Sequence, residues 1–243
     1  MYHSVTFGDK NSWEDWHLVP SSRPVINPPE PKTTMIDVPG VNGALDLSQS
    51  LTKYPLFKRR TGDIEFIVVN DFYEPVTVHH EWYDVYSDIM NHLHNDKMAM
   101  WLEDESDWRY EGRFRVNSWR SESHLSRITI SYDLEPFKWY DKTYEKTFTA
   151  TTTQQSYTFT KKEDNLGEVP TSPRFLITGA ATSSAYITLE NPTLNTTTTV
   201  TLKPSTSEQD APRIVFYGDN LTMHYQSSSG SVTVKVLYEK GSL

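Results

Sequence analysis

Residues 110–139 read YEGRFRVNSWRSESHLSRITISYDLEPFKW, and the alternation in this stretch decides the fold class. Tyr110, Phe114 and Val116 fall on one side of an extended strand, while Glu111, Arg113, Arg115 and Asn117 fall on the other. That period of two marks a half-buried strand. Ser121 to His124 then offer a turn. The second run repeats the pattern, with Ile128, Ile130, Tyr132 and Leu134 on one face and Arg127, Thr129, Ser131 and Asp133 on the other. The expected structure is an antiparallel hairpin with one dry face. Pro136 cannot donate to a ladder and Trp139 closes the segment, so the domain built on this hairpin is expected to end within a few residues.

Working outward, 243 residues suffice for one large or two ordinary domains, and two features favour two. All seven Trp lie between Trp13 and Trp139. Residues 1–140 carry 14 Lys and Arg against 22 Asp and Glu, whereas residues 141–243 carry 9 against 10, which together make the net charge of −9. This balance argues against binding nucleic acid by phosphate neutralisation, which needs a concentrated basic face. The one basic cluster, Lys58, Arg59 and Arg60, reads as a solvated turn. The absence of Cys removes disulfide frameworks, thiolate metal sites and cysteine nucleophiles together. The start, MYHSVTFGDK, has no basic region followed by an apolar core, and no run is apolar enough to span a bilayer, so a soluble protein without a secretion signal is expected. Asn195-Thr-Thr and Asn220-Leu-Thr match the glycosylation pattern by chance in a Thr-rich region.

In chain order, Tyr2 to Phe7 reads as a strand ended by a Gly8-Asp9 turn. Five prolines between Pro20 and Pro31 make an extended arm, with a rise near the roughly 3.1 Å per residue of polyproline II. The segment reads either as an ordinary surface loop or as an arm that packs on a neighbour, and Trp13 and Trp16 beside this polar run favour the second. Thr34 to Val38 reads as a strand stopped by Pro39-Gly40, and Asn42-Gly43 as the turn of a hairpin excursion. From Asp63 to Val69, Ile64, Phe66 and Val68 line one face and Ile67 and Val69 part of the other, as in a strand covered on both sides. His79 to Asn95 changes to helical period through Trp82, Val85 or Tyr86, Ile89 and Leu93. Lys97 to Leu102 returns to strand, and the acidic run Glu103, Asp104, Glu105 and Asp107 reads as a solvated turn. In the second half, runs at Tyr157, Phe175, Tyr186, Val200, Ile214, Leu221 and Val232 are separated by Thr151–Thr153, Thr196–Thr199 and Ser227–Ser231. Short strands between turn signals, with no helical period, indicate a β-sandwich or jelly roll.

No catalytic constellation stands out. Ser50-Leu-Thr-Lys53 matches a Ser-x-x-Lys start, but its Ser-Asp-Asn and Lys-Thr-Gly partners are missing. His79-His80 and His92 with His94 lie at opposite ends of the expected helix and cannot converge on one ion. The carboxylates at Glu103 to Asp107 form a glycosidase pair only if held across a cleft at about 5 to 9 Å, and nothing marks one. Phosphate-binding glycine loops and the Gly-x-Ser-x-Gly elbow are absent. No catalytic, cofactor-binding or metal-ligating residue is assigned, and no cofactor is expected.

The ordered set SWEDWHLVPSSRP, GDIEFIVVND, IMNHLHNDKM, GRFRVNSW and RITISYDLEPFKW resembles the N-terminal domain of siphophage distal tail proteins, over residues 1 to about 140. The final run SVTVKVLYEKGSL resembles the last strand of those members that carry a galectin-like second domain. The resemblance implies a mainly β protein, with an N-terminal β-sandwich-like domain carrying one α-helix (1–140) and a C-terminal galectin-like or jelly-roll β-sandwich (141–243). It also implies a structural, non-enzymatic role at the virion tail tip of a bacteriophage, after synthesis in the host cytoplasm. The implied form is a homo-hexameric ring joining the tail tube protein to a tail-tip hub or tail-associated lysin-type protein. A receptor-binding protein is a further implied partner, and DNA passes through the lumen. Acidic residues in the first domain suit such a lumen, because repulsion keeps phosphates off the wall. The alternative is a carbohydrate-binding host-adhesion module in the second domain, against which the lack of Trp there counts.

Overall fold

The computed structural model describes residues 3–40, 42–69, 79–121 and 126–243. The chain divides into two compact units, residues 1–48 with 55–138, and residues 49–54 with 139–243. The first unit contains β1 (Val5–Phe7), β2 (Lys10–Asn11), β3 (Leu18–Pro20), β4 (Met35–Asp37), β5 (Ala44–Asp46), β6 (Arg60–Val68), α1 (His79–His92), β7 (His94–Leu102) and β8 (Trp108–Ser121). β9 (Ser126–Ala150) begins in this unit and ends in the second. The second unit adds β10 (Gln155–Phe159), α2 (Lys161–Asp164), β11 (Arg174–Gly179), β12 (Ala185–Asn191), β13 (Thr196–Leu202), β14 (Gln209–Asp210), β15 (Leu221–Ser227) and β16 (Val232–Ser242). The protein is mainly β, as the alternation predicts.

In the first unit the strands follow the order β2-β1-β7-β8-β9-β6-β3, and β4 pairs with β5 in a separate hairpin. The quoted hairpin forms as its pattern dictates. Tyr110, Phe114, Ile128, Ile130, Tyr132 and Leu134 all lie in one core with Phe7, Trp16 and Phe66. Phe7 meets Phe114 edge-on at 5.1 Å and Phe66 at 6.3 Å, which fixes their rings as well as burying them. The turn at Ser121–His124 falls largely outside the described residues, as does the side chain of Trp82. α1 covers this core with Ile89 fully buried and Val85 and Tyr86 partly so, and Leu93 is buried just past its end, while Asp84, Asp88 and Asn91 face solvent.

Several expectations are corrected. The helix stops at His92, three residues early, because Asn95 takes the left-handed conformation (φ 74°) and the β7–β8 register shifts between His94 and Lys97. The second face of β6 is covered only at its end, where Ile67 is half-buried and the following Val69 buried. Ile64, Phe66 and Val68 are buried, but Thr61, Asp63 and Glu65 are exposed, and Glu65 is paired across the ladder with Arg127 at 2.7 Å. β9 runs on past Pro136 to Ala150, while the first unit ends at Lys138. The ladder with β6 ends at Leu134, so the proline's missing N–H falls just beyond it, and its carbonyl accepts from Arg60 Nε at 2.9 Å. Trp16 is 1% exposed inside its own core and donates Nε1–H to Asp88 at 2.6 Å, which removes the reason it offered for packing on a neighbour.

In the second unit, β14-β11-β16-β9 and β10-β15-β12-β13 form two sheets. Phe148, Phe159, Phe175, Ile187, Met223 and Val234 lie in their shared core. Thr196–Thr199 is strand rather than a separator, since it opens β13 and pairs with β12 residue by residue from Thr196↔Asn191. The run at Ile214 keeps its alternating burial but forms only an isolated bridge, Thr171↔Phe216. α2 is a single turn, too short to show a period, capped by Thr160 Oγ1 accepting from Glu163 N–H. It is pinned from inside, where the fully buried Asp164 carboxylate meets Lys146 and the Tyr157 hydroxyl.

The close approach of β8 to β9 depends on Gly112. A Cβ there would run into the Asp133 carbonyl and lie 2.7 Å from Leu134 Cα. Gly112→Ala is therefore expected to destabilise the protein by about 1–3 kcal/mol in urea unfolding. A loss under about 0.5 kcal/mol would mean that the hairpin gives way there at little cost.

Candidate functional site

The acidic run is not a free solvated turn. Residues Glu103–Glu105 form one 3-10 turn whose carboxylates gather four other segments. Glu103 accepts from the Ser4 backbone N–H at 2.8 Å. Asp104 takes His3 Nδ1 at 2.8 Å and Arg23 Nε at 2.9 Å. Glu105 accepts from the Tyr110 hydroxyl at 2.9 Å and from Lys138 Nζ at 3.1 Å. Partial desolvation opposes ionisation of Asp104, but the hydrogen bonds from His3 and Arg23 outweigh it and hold its carboxyl below the usual range. Burial, and then the bond to Glu105, push the Tyr110 phenol above its usual range. These carboxylates clamp the N-terminal strand and the proline-rich segment, and they do not face each other across a cleft.

The basic cluster separates in the same way. Lys58 pairs with Glu30 at 2.9 Å and Arg59 with Asp133 at 2.6 Å, both in solvent. Arg60 is 4% exposed. Its guanidinium lies 5.7 Å from the centre of the Tyr110 ring, donates to Pro136 and Asn27 carbonyls, and leaves Nη2 without a partner among the described residues. Desolvation lowers its pKa from the ordinary arginine value.

Arg60 also helps to hold the proline-rich segment, which lies on its own unit. Ile26 is buried in the core, Asn27 N–H donates to the Tyr132 hydroxyl at 3.2 Å, and Asn27 Nδ2 donates to the Thr61 carbonyl at 3.0 Å. Beyond that anchor, Lys32 N–H donates to the Leu56 carbonyl and Lys58 N–H to the Glu30 carbonyl, each at 2.7 Å. Between these two backbone ties the chain makes its excursion through β4 and β5. Every residue of β4 and β5 is exposed, although the hairpin contains Met35 (55%), Ile36 (46%) and Leu45 (53%). Val25 on the arm is 71% exposed. Soluble surfaces show scattered apolar residues, and an excursion with no buried residue among those described that carries three large ones is a candidate contact surface.

The remaining sequence candidates do not converge. His92 Nε2 lies 2.8 Å from the Phe7 carbonyl and His94 Nδ1 lies 2.8 Å from the Asn91 carbonyl, each ring occupied locally. The side chains of His79 and His80 lie outside the described residues. No group of three potential metal ligands occurs among the described residues. Lys53 Nζ donates to the Asn195 carbonyl at 3.4 Å.

No family model matches the chain, and no curated protein matches it by sequence. Its structure is similar to one described as "Crystal Structure of SPP1 Dit (gp 19.1) Protein, a Paradigm of Hub Adsorption Apparatus in Gram-positive Infecting Phages", with a TM-score of 0.62 and 15% identity over 99% of each chain. The chain has the fold of SPP1 Dit. The likeness covers both units of this Dit fold, so it does not rest on a single sandwich. Sequence pattern finds the β4–β5 excursion through its Asn42-Gly43 turn. The anchoring by Arg60, Asn27 and Asp104 is not legible, because each partner lies more than thirty residues away in the chain.

The clamp at Asp104 has a pH signature. Its pKa is depressed in the folded state, so its stabilisation is present above the unfolded value of 3.8 and lost as pH falls through the folded value. Asp104→Asn is expected to lower urea stability at neutral pH, with the gap to wild type closing below about pH 4. A gap of constant size down to about pH 3 would sink this account.

Proposed function

We propose that this chain is a structural bacteriophage tail protein that forms a homo-hexameric ring at the virion tail tip, joins the tail tube to the tip apparatus and lets DNA pass through its lumen. The observation carrying this reading is the apolar excursion of the first unit, combined with a full-length likeness to a protein described as a hub of adsorption apparatus. A stable joint between subunits buries about 1,200–2,000 Å² in total, and an exposed hairpin supplies contact area beyond that of a compact body. In a ring the same head-to-tail contact recurs at every joint, so weakening it weakens all of them. The acidic excess of residues 1–140 suits a wall past which DNA slides. Residues 1–140 serve here as the ring-forming domain and 141–243 as an outward sandwich. The partners are the tail tube protein, a tail-tip hub or lysin-type protein, and a receptor-binding protein.

The alternative, a carbohydrate-binding adhesion module, is favoured by one feature. Tyr186 on β12 is 44% exposed among Thr188, Thr201 and Gln226 and offers a ring for a sugar to stack on. Saturable glycan binding lost in Tyr186→Ala would favour it.

The ring is tested on the full chain by light scattering. Wild type is expected near the roughly 170 kDa of six 28.1 kDa chains, and Ile36→Asp with Leu45→Asp near one chain mass with an unchanged circular dichroism spectrum. The two residues are exposed, so their replacement leaves the core intact. A monomeric wild type, or an intact ring in the double variant, places assembly elsewhere. A non-enzymatic protein is likewise expected to release no reducing ends from bacterial cell-wall polysaccharide. Release abolished by Glu103→Gln would overturn the structural reading.

A further inference from the structure

The four-stranded sheet of the second unit ends at β13, which has β12 as its one strand neighbour among the described residues. β13 reads TTTTVTL, seven residues without a charge, a proline or a glycine. Edge strands of natural sheets are ordinarily blunted by lysine, proline, bulges or short length, since their free N–H and C=O groups are a template for another strand. The other sheet shows such blunting: its edge strand β14 has two residues, one of them Asp210. β13 shows none. Its register with β12 is unbroken from Thr196↔Asn191 to Leu202↔Ala185, so no bulge twists the edge away.

The side chains along this edge are also left open. Val200 and Leu202 point inward yet are only partly buried, whereas their ladder partners Ile187 and Ala185 are fully buried. Beside them runs a groove of about 360 Å³ between β13 and the segment Asp210–Arg213, lined by the apolar Val200, Leu202, Ala211 and Pro212 with Thr199, Thr201, Asp210 and Arg213 beside them. An added strand would place alternate side chains over this apolar lining. The intervening ones would fall beside the exposed row Thr197, Thr199 and Thr201.

We propose that β13 and this groove form a β-augmentation site, in which an extended segment of another protein adds as the next strand of the sheet. The segment is uncharged at its centre and alternates β-branched apolar residues with small polar ones, matching the two rows it meets. Main-chain bonds to β13 supply affinity and the groove supplies specificity. A peptide is favoured over a second copy of this chain. The groove has room for a few side chains of one strand and not for a second sheet edge bringing its own Asp210–Arg213 wall. The site stands on the second unit alone and does not depend on the ring assignment.

The probe is a fluorescein-labelled heptapeptide, TVTVTVT, titrated into the full chain and read by anisotropy, with TKTKTKT as control. Saturable binding near about 10–100 μM is expected for the first and none for the second. Val200→Lys, which puts a charge in the groove from a half-exposed position, is expected to weaken binding at least about tenfold. Pro212→Lys narrows the same groove from an exposed residue off the ladder and is expected to act alike, so the result does not hang on one variant's folding. Tyr186→Ala, on the sheet face, is expected to leave it unchanged. Amide exchange at Thr197 to Thr201 slows on peptide addition. The proposal is overturned by absent saturation, by equal binding in both lysine variants, or by sedimentation showing the edge held by a second copy in a contact that Val200→Lys breaks.

Discussion

A strand buried on one face cannot slip by one residue, and that constraint on β9 organises this protein. A single-residue shift would exchange Ile128, Ile130, Tyr132 and Leu134 for Arg127, Thr129, Ser131 and Asp133, at about 1.5–3 kcal/mol for each large side chain exposed. With the register held, Tyr132 meets Asn27, Asp133 meets Arg59, and the Pro136 carbonyl meets Arg60. The same alternation later sets Phe148 and Ala150 into the second core. One period-two rule thus specifies both the sandwich and the polar contacts that tie loops to it.

Those polar contacts differ in worth. Lys58–Glu30 and Arg59–Asp133 are solvent-exposed pairs of the kind that contribute about 0–1 kcal/mol. Arg60 is of another kind. A buried guanidinium needs its carbonyl and ring partners, and removing any of them leaves a desolvated charge unsupported. Because the Asn27 carbonyl is one of those partners, the burial of Arg60 ties the proline-rich segment to the sandwich. The arm is therefore structural at Ile26–Asn27 and free to make contacts at Val25 and along β4–β5.

The two units manage their surfaces differently. The first gathers its acidic turn into hydrogen bonds and puts its apolar surplus on a hairpin. The second keeps an internal charged cluster, Lys146 with Asp164, where desolvation opposes the charge on Lys146 and the bonds to Asp164 and Tyr157 outweigh it. Its outer strand faces are threonine-rich, with Thr188 and Thr199 paired at 2.8 Å and Thr158 and Thr222 at 3.2 Å across neighbouring strands.

The sequence by itself determined the elements whose signal is local. Alternation located β6, β8, β9 and most strands of the second unit, the helical period located α1, and Asn42-Gly43 located the excursion, because side-chain periodicity is imposed by backbone geometry alone. It failed where a partner decides the outcome. Thr196–Thr199 is as good a turn as a strand until β12 lies beside it, and Ile214–Phe216 has strand alternation but pairs through the single bridge Thr171↔Phe216 rather than a ladder. Pro136 looks like the end of the strand until β9 is seen to run on to Ala150, past the end of its ladder with β6 at Leu134. Only the tertiary structure decided which charges were buried, which carboxylates were clamped and which apolar residues stayed exposed. Each of these depends on groups brought together from distant parts of the chain, and no local pattern records such pairings.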